Sequence, residues 1–409
     1  MNIFLIHQYA GNKGDRAVAY ALCRLIKSIK GDAQITISTS SPTLWNGEDY
    51  FLEQGIRFIT NSWDFPASRR YWKLLNHFHK YTFTVLRELF LRLGKSKLAK
   101  FLVNPFFYQA ASKADLVISV GGHHFTTLLS RDLVSSINYD AMATLALGKP
   151  LICFSQTFGP FDFHNERNLR LTRKILQNST LYVRENQSAD ALSNFEIPDQ
   201  CIHATFESVI TLNSLLKEYT IPSRRAKRVG IAIYATQKRS PEKHAHYVES
   251  LAGLCNYLAN FGFQIRFFPM ELKGTPPDDR PLIHEIISHT TTPASCFVYD
   301  EDMPTEKHII EVSKCQFFIG HKTHSTIFAL ATGTPLVGIA YHPKTREFMQ
   351  QFGVQDYCID DTNLTMELLC DTVTAILPQL NQIGPQLYAK AQAMSATVKN
   401  DLAKIILNQ

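Results

Sequence analysis

Phe317-Phe318-Ile319-Gly320-His321-Lys322-Thr323-His324-Ser325-Thr326-Ile327 is the most informative segment of this chain. A short apolar run stops at Gly320, and a polar cluster follows. Ile327, Ala329, Leu330 and Ala331 then recur at helical spacing as far as Gly333-Thr334-Pro335, and Leu336-Val337-Gly338-Ile339-Ala340 reads as a strand. The pattern predicts strand, turn, helix, turn, strand. The first turn sets a cation and an imidazole at the amino end of a helix, where the dipole and unpaired N–H groups favour an anion. Lys322 adds charge, and His324 can donate or accept a proton near neutral pH. The cluster is expected to bind a phosphate or carboxylate and to do acid–base chemistry. The bland alternative is a structural turn in which His324 caps or packs.

The same rhythm runs outward in both directions. Residues 3–6, 35–38, 57–59, 116–120, 151–155 and 181–183 read as strands, and 16–29, 140–147, 167–176 and 188–192 as helices. After a polar, basic stretch at 217–228, the best candidate linker, strands at 229–233, 265–269 and 297–299 alternate with helices at 246–261, 282–288 and 305–313. Helices at 364–379 and 388–407 close the chain. This predicts two Rossmann-like, doubly wound α/β domains with ligands in the cleft between them. The N-terminal domain is expected over 1–220, the C-terminal domain over 228–380 and a terminal helix over 381–409.

A chain of 409 residues is long enough for two such cores. It has no run of 18 apolar residues, so no transmembrane helix is expected, and the opening Met1-Asn2-Ile3-Phe4-Leu5-Ile6-His7 reads as a first strand rather than a signal peptide. Eight scattered cysteines without a CxxC pair read as free thiols in a reducing cytoplasm, and no metal site is expected. The net charge of +6 is uneven: between Arg69 and Lys100 nine Lys or Arg stand against the single acid Glu88. Aromatic and leucine side chains interleave with these charges, so a basic helical insertion at about 69–104 reads as a surface for anionic membranes or as a solvated cationic face. No nucleic-acid motif accompanies it, and no nucleic-acid partner is expected.

Four further constellations end strands. Gly11-Asn12-Lys13-Gly14-Asp15 is a glycine turn before a helix, where Asp15 either caps or meets ligand. Gly121-Gly122-His123-His124 allows close backbone approach and offers two imidazoles to an acceptor hydroxyl, against the reading of a structural turn. In Tyr182-Val183-Arg184-Glu185, Arg184 suits two-point binding of carboxylate or phosphate, or else pairs with Glu185. Lys344 of Tyr341-His342-Pro343-Lys344 either completes an anion site or is a solvated loop lysine.

Taken in order, these residues resemble the polysaccharide pyruvyl transferase family. Asn12-Lys13-Gly14-Asp15 is similar to its N-x-G-D turn, and the strand ending in Gly121-Gly122 to its Gly-Gly strand. The segment from Lys149-Pro150 to Gly159-Pro160 is similar to its GKP…Q-x-x-GP element, and Val183-Arg184-Glu185 with Ser188 to its V-R-[DE]-x-x-S element. Residues 319–327 resemble its I-G-x-R-x-H-x-x-I element, followed by Gly333-x-Pro335 and Tyr341-x-x-Lys344. The resemblance spans roughly residues 10 to 345. It implies two Rossmann-like domains in a GT-B-like arrangement, and transfer of the enolpyruvyl unit of phosphoenolpyruvate to a sugar of a polysaccharide or its precursor, forming a pyruvate ketal and releasing phosphate. It implies that Arg184, Lys322, Thr323 and Lys344 bind the donor and that His324 is the general acid. Acceptor contacts are expected from the first domain, through Asn12, Asp15, His123 and His124. No cofactor beyond the co-substrate is expected. The acceptor is free or lipid-linked, the latter with peripheral contact at the inner membrane through 69–100.

The chain departs from the family pattern at Lys322, where arginine is usual; lysine keeps the charge but loses the planar two-point grip. In Thr205-Phe206-Glu207-Ser208, before the linker, only Glu207 is acidic. Two other readings remain: a GT-B glycosyltransferase using a nucleotide sugar, and a non-catalytic family member.

Overall fold

The structure is a computed structural model that describes residues 1–9, 11–62, 86, 103–128, 135–236, 239–272 and 278–408. The basic segment at 69–100 lies almost wholly outside the described residues. The chain forms two compact units. One comprises Met1–Ala10, Val18–Ser208 and Thr397–Gln409, and the other Gly11–Ala17 and Val209–Ala396.

The first unit is built on eight parallel strands: β1 (Asn2–Gln8), β2 (Gln34–Thr39), β3 (Arg57–Ile59), β4 (Leu116–Ser119), β5 (Gly122–Phe125), β6 (Leu151–Phe158), β7 (Ser179–Val183) and β8 (Ile202–Ala204). Their order is β3-β2-β1-β4-β6-β7-β8, with β5 paired to β6. Register is set by apolar runs buried on both faces, as in Ile3 opposite both Ile35 and Leu116. Phe4, Phe107, Phe125, Leu151 and Ile175 anchor the core beneath helices Pro105–Lys113, Ser135–Ala146 and Glu166–Gln177. His7 and Ser155 adopt left-handed backbone (φ 68° and 57°) where β1 and β6 shift register. Gly121-Gly122-His123-His124 is not an open turn: Gly122 begins β5 and pairs in parallel with Gln156.

The second unit is a six-stranded parallel sheet in the order β11-β10-β9-β12-β13-β14. Its strands are β9 (Arg228–Ala232), β10 (Gln264–Phe267), β11 (Cys296–Val298), β12 (Phe317–Gly320), β13 (Leu336–Ala340) and β14 (Cys358–Asp360). The central strands β9, β12 and β13 are apolar and buried apart from Arg228, which opens β9, and their carboxyl ends gather the turns that carry polar residues. The expected linker at 217–228 is docked rather than free: Arg225 is buried and donates to the carbonyls of Thr220 and Cys315 and to the hydroxyl of Thr334. The last helix, Leu380–Leu407, starts earlier than Gly384 and Pro385 lead one to expect. Tyr388 on it stacks on Tyr219 at 4.5 Å. All eight cysteines are free thiols. Among the described residues, no helix is long and apolar enough to cross a membrane.

Candidate active site

The turn after β12 is tight. A Cβ on Gly320 would stand 2.8 Å from Thr326 Oγ1 and 3.1 Å from its amide nitrogen, so only glycine lets the helix Thr323–Ala331 begin so close to the strand. Lys322 has extended backbone and its carbonyl accepts the N–H groups of Ser325 and Thr326, starting the helix. Its side chain makes no cap bond and turns to two acids. The ammonium lies 3.2 Å from Glu271 Oε1 and 3.2 Å from Asp279 Oδ1. Asp279 Oδ2 accepts the backbone N–H groups of Met270 and Glu271, each at 2.9 Å. Burial pushes the Glu271 carboxyl up to about 7; Lys322 opposes this, while Asp279 and Asp15 add to it. Burial also raises Asp279, against Lys322 and the two N–H groups.

The Gly11–Ala17 segment completes the cluster. Asn12 donates from Nδ2 to Glu271 Oε1 at 2.8 Å, and its Oδ1 accepts the N–H of Gly14 at 2.6 Å. The Lys13 N–H donates to the Met270 carbonyl, and its ammonium is held by Asp302 and the carbonyl of Met303. Arg16 grips both oxygens of the same Asp302 at 3.0 and 2.8 Å. Lys13 and Arg16 are each only 2% exposed, so the segment is pinned by a buried ion triad. The pinning has a consequence for His324: a Cβ on Gly14 would overlap the imidazole, which therefore rests directly on the Gly14 backbone.

His321, beside Lys322, is a separate buried relay. Its Nδ1 is 2.8 Å from the Tyr247 hydroxyl and its Nε2 is 3.1 Å from Asp361 Oδ1, which also accepts from Arg239 at 3.1 Å. Burial pushes the imidazole down against the pull of Asp361. The relay borders a cavity of about 340 Å³ lined by Arg239, Lys243, His246, Tyr247, Asp361 and Thr365.

Lys344 sits in the first turn of helix Pro343–Phe352, and its N–H donates to the capping His342 Nδ1 at 3.2 Å. Thr323 Oγ1 is 2.9 Å from Thr345 Oγ1 on that helix. In the first unit, Arg184 is 3% exposed and already engaged. It donates from Nε to Thr157 Oγ1 at 2.9 Å, pairs with Glu207, and has Glu185 Oε2 at 3.4 Å. His123 Nε2 donates to the Gly159 carbonyl and His124 Nε2 to the Val120 carbonyl at 3.1 Å.

The second unit thus brings Asn12, Asp15 and Lys322 to Glu271 and Asp279, with His324 on Gly14 and Thr323 on Thr345. Asn12 and Asp15, expected with the first domain, belong with the second unit. Arg184, His123 and His124 lie in the first. Sequence reading passed over Glu271, Asp279, Asp302 and His321. Glu271 and Asp279 fall where a strand's carboxyl end meets a polar loop, the position that marked the other constellations. Their pairing with Lys322 has no signal in a single sequence. Among the described residues, no group of three or more His, Cys, Asp or Glu is placed to hold a metal ion.

The family model for polysaccharide pyruvyl transferases matches residues 12–343, which takes in this whole cluster and Arg184. The chain belongs to the polysaccharide pyruvyl transferase family. A curated relative, the amylovoran biosynthesis protein AmsJ of Erwinia amylovora, is 20% identical across all of this chain and 99% of its own length. This pyruvyl transferase family member is therefore a transferase of polysaccharide biosynthesis. Its fold is similar to Anabaena HepE, solved in complex with UDP (12% identity, TM-score 0.59, all of both chains). It is also similar to the UDP-GlcNAc 2-epimerase of Neisseria meningitidis, solved with UDP-GlcNAc (10% identity, TM-score 0.59, 100% and 99% of the chains). At these identities the likeness shows the fold alone: α/β, with two Rossmann-like sheets of the GT-B class.

Proposed function

We propose that this protein transfers the enolpyruvyl unit of phosphoenolpyruvate to a polysaccharide sugar or its precursor, with His324 as the general acid. The observation that carries the reading is the placement of His324. It stands in the first turn of helix Thr323–Ala331, against Gly14 of the N-x-G-D turn, so two family elements far apart in sequence meet at one imidazole. His324 delivers a proton to the methylene carbon of the donor, and a sugar hydroxyl adds to the adjacent carbon. Phosphate then leaves as a second hydroxyl closes the ketal. One hydroxyl proton restores His324, and the other departs with phosphate. Lys322, Thr323 and Lys344 are assigned to the donor, and Arg184 is the family motif's other donor cation. Asn12, Asp15, His123 and His124 are assigned to the acceptor. The scheme needs no cofactor beyond phosphoenolpyruvate.

Thermal unfolding with millimolar phosphoenolpyruvate tests the donor, because a ligand that binds only the folded state raises the apparent stability. A rise in Tm with phosphoenolpyruvate and none with UDP is expected. A rise with UDP alone would instead favour a nucleotide-sugar donor, the competing reading for a GT-B fold. We place the enzyme in the cytoplasm, with the 69–100 segment as its contact to a membrane carrying a lipid-linked acceptor.

A further inference from the structure

Lys322 faces one carboxylate more than its charge balances. The two acids are not equivalent. Asp279 Oδ2 takes two backbone N–H groups, and Ala235 N–H reaches Oδ1 at 3.4 Å, so Asp279 is the better satisfied anion of the two. Glu271 shares Oε1 between Lys322 and Asn12, while its Oε2 has no hydrogen-bond partner among the described residues, although Glu271 is only 3% exposed. Of the two acids Glu271, with an oxygen that no described residue satisfies, is the less favourable anion, so it is the one to take a proton when further negative charge enters the site. The groups facing it are Lys322, Asp279, Asn12 and Asp15, with Tyr341 in electrostatic range and the Tyr234 ring 5.8 Å from the same ammonium. None of these adds a second cation to offset the second acid.

We propose that Glu271 is a proton-linked specificity residue: when an oxyanion engages Lys322, Glu271 gives up the ammonium and takes one proton from solvent. The anion replaces the carboxylate as counter-ion of Lys322, and the only bond formed is the O–H on Glu271. This rests on the assignment of Lys322 to the donor made above. The site then admits a polyanion only together with a proton, so affinity falls as pH rises. The elevated Glu271 carboxyl, at about 7, puts that dependence in the physiological range. It also gives a lysine at this position a role that an arginine gripping both oxygens of one carboxylate would not share.

Calorimetric titration of the whole protein with sulfate, which does not titrate near neutrality, and with phosphoenolpyruvate tests this between pH 7.5 and 9. Comparison with Glu271→Gln separates the Glu271 proton from those exchanged by every other group. Repeating the titration in buffers of different ionisation heat counts protons. Uptake approaching roughly one proton per anion, with affinity falling nearly tenfold per pH unit, is expected. Glu271→Gln keeps the size and the acceptor for Asn12; it should bind without uptake and show a flat pH profile. Anion binding by the wild type without proton uptake overturns the proposal, as does a wild-type slope retained in Glu271→Gln. Failure of both anions to bind either protein overturns the donor assignment of Lys322 itself, and this proposal with it. If Glu271→Gln does not fold, the wild-type proton count still decides.

Discussion

At the scale of single residues, the proposed acid depends on the contact between Gly14 and His324. No side chain other than hydrogen fits at position 14 while the imidazole stays where it is. Gly14→Ala is expected to push the ring aside and reduce turnover on the order of 10²-fold, the effect of misplacing a reacting group by about 1 Å. The Tm should change far less, because the strain is relieved by one side-chain rotation. Unchanged turnover in that variant would remove the packing argument for His324. His324→Ala should abolish phosphate release from phosphoenolpyruvate while leaving its binding and the far-ultraviolet circular dichroism intact. Near-normal release would exclude His324 as the acid.

At the scale of elements, strands buried on both faces announce themselves as unbroken apolar runs, which is why β1, β4, β6, β9, β12 and β13 were legible. Elements set by pairing were not. β5 carries Gly122 and two histidines and is a strand because it lies along β6. β14, Cys358–Asp360, is three residues at a sheet edge and pairs with β13. Pro385 falls in the second turn of the Leu380–Leu407 helix. The Gly11–Ala17 segment shows the same rule in its energetics. Asp302 pairs with two buried cations, Lys13 and Arg16, that sequence places 286 or more residues away. Asp302→Ala removes a carboxylate shared by two buried cations and should cost about 3 kcal/mol, lowering Tm by roughly 5–10 °C. A loss within the error of the melting curve would mean that the triad contributes nothing.

At the scale of the whole molecule, charge organises the predictions. The 69–100 segment carries a net +8 in a chain whose total is +6, so its field is not cancelled by neighbours in sequence. Sedimentation with anionic vesicles is expected to carry the protein down at low salt and release it as salt rises; absence from the pellet at low salt would refute the membrane role. Acid stability follows from the relay around His321. Burial raises the Asp361 carboxyl, but His321 and Arg239 outweigh it and hold the group at about 2. A depressed carboxyl stabilises the fold above its unfolded value, near 4, and loses that contribution as pH falls toward 2. Urea unfolding should therefore find wild type about 2 kcal/mol more stable than Asp361→Asn at pH 6, with the gap closing below pH 4. A gap independent of pH would show that the pair does not titrate as described.

The sequence by itself determined the alternation of strand and helix, the two α/β halves and the identity of the polar clusters at strand ends. Periodicity and glycine punctuation are local properties, and one chain displays them. Only the tertiary structure decided which clusters meet. It assigned the Asn12 turn to the second unit and set Lys322 between Glu271 and Asp279. It also showed that Arg184 is already paired with Glu207. Those facts depend on contacts between residues tens to hundreds of positions apart, where burial raises one carboxyl and a buried cation lowers another. A linear pattern cannot record them, because the electrostatic state of a side chain is set by its neighbours in space.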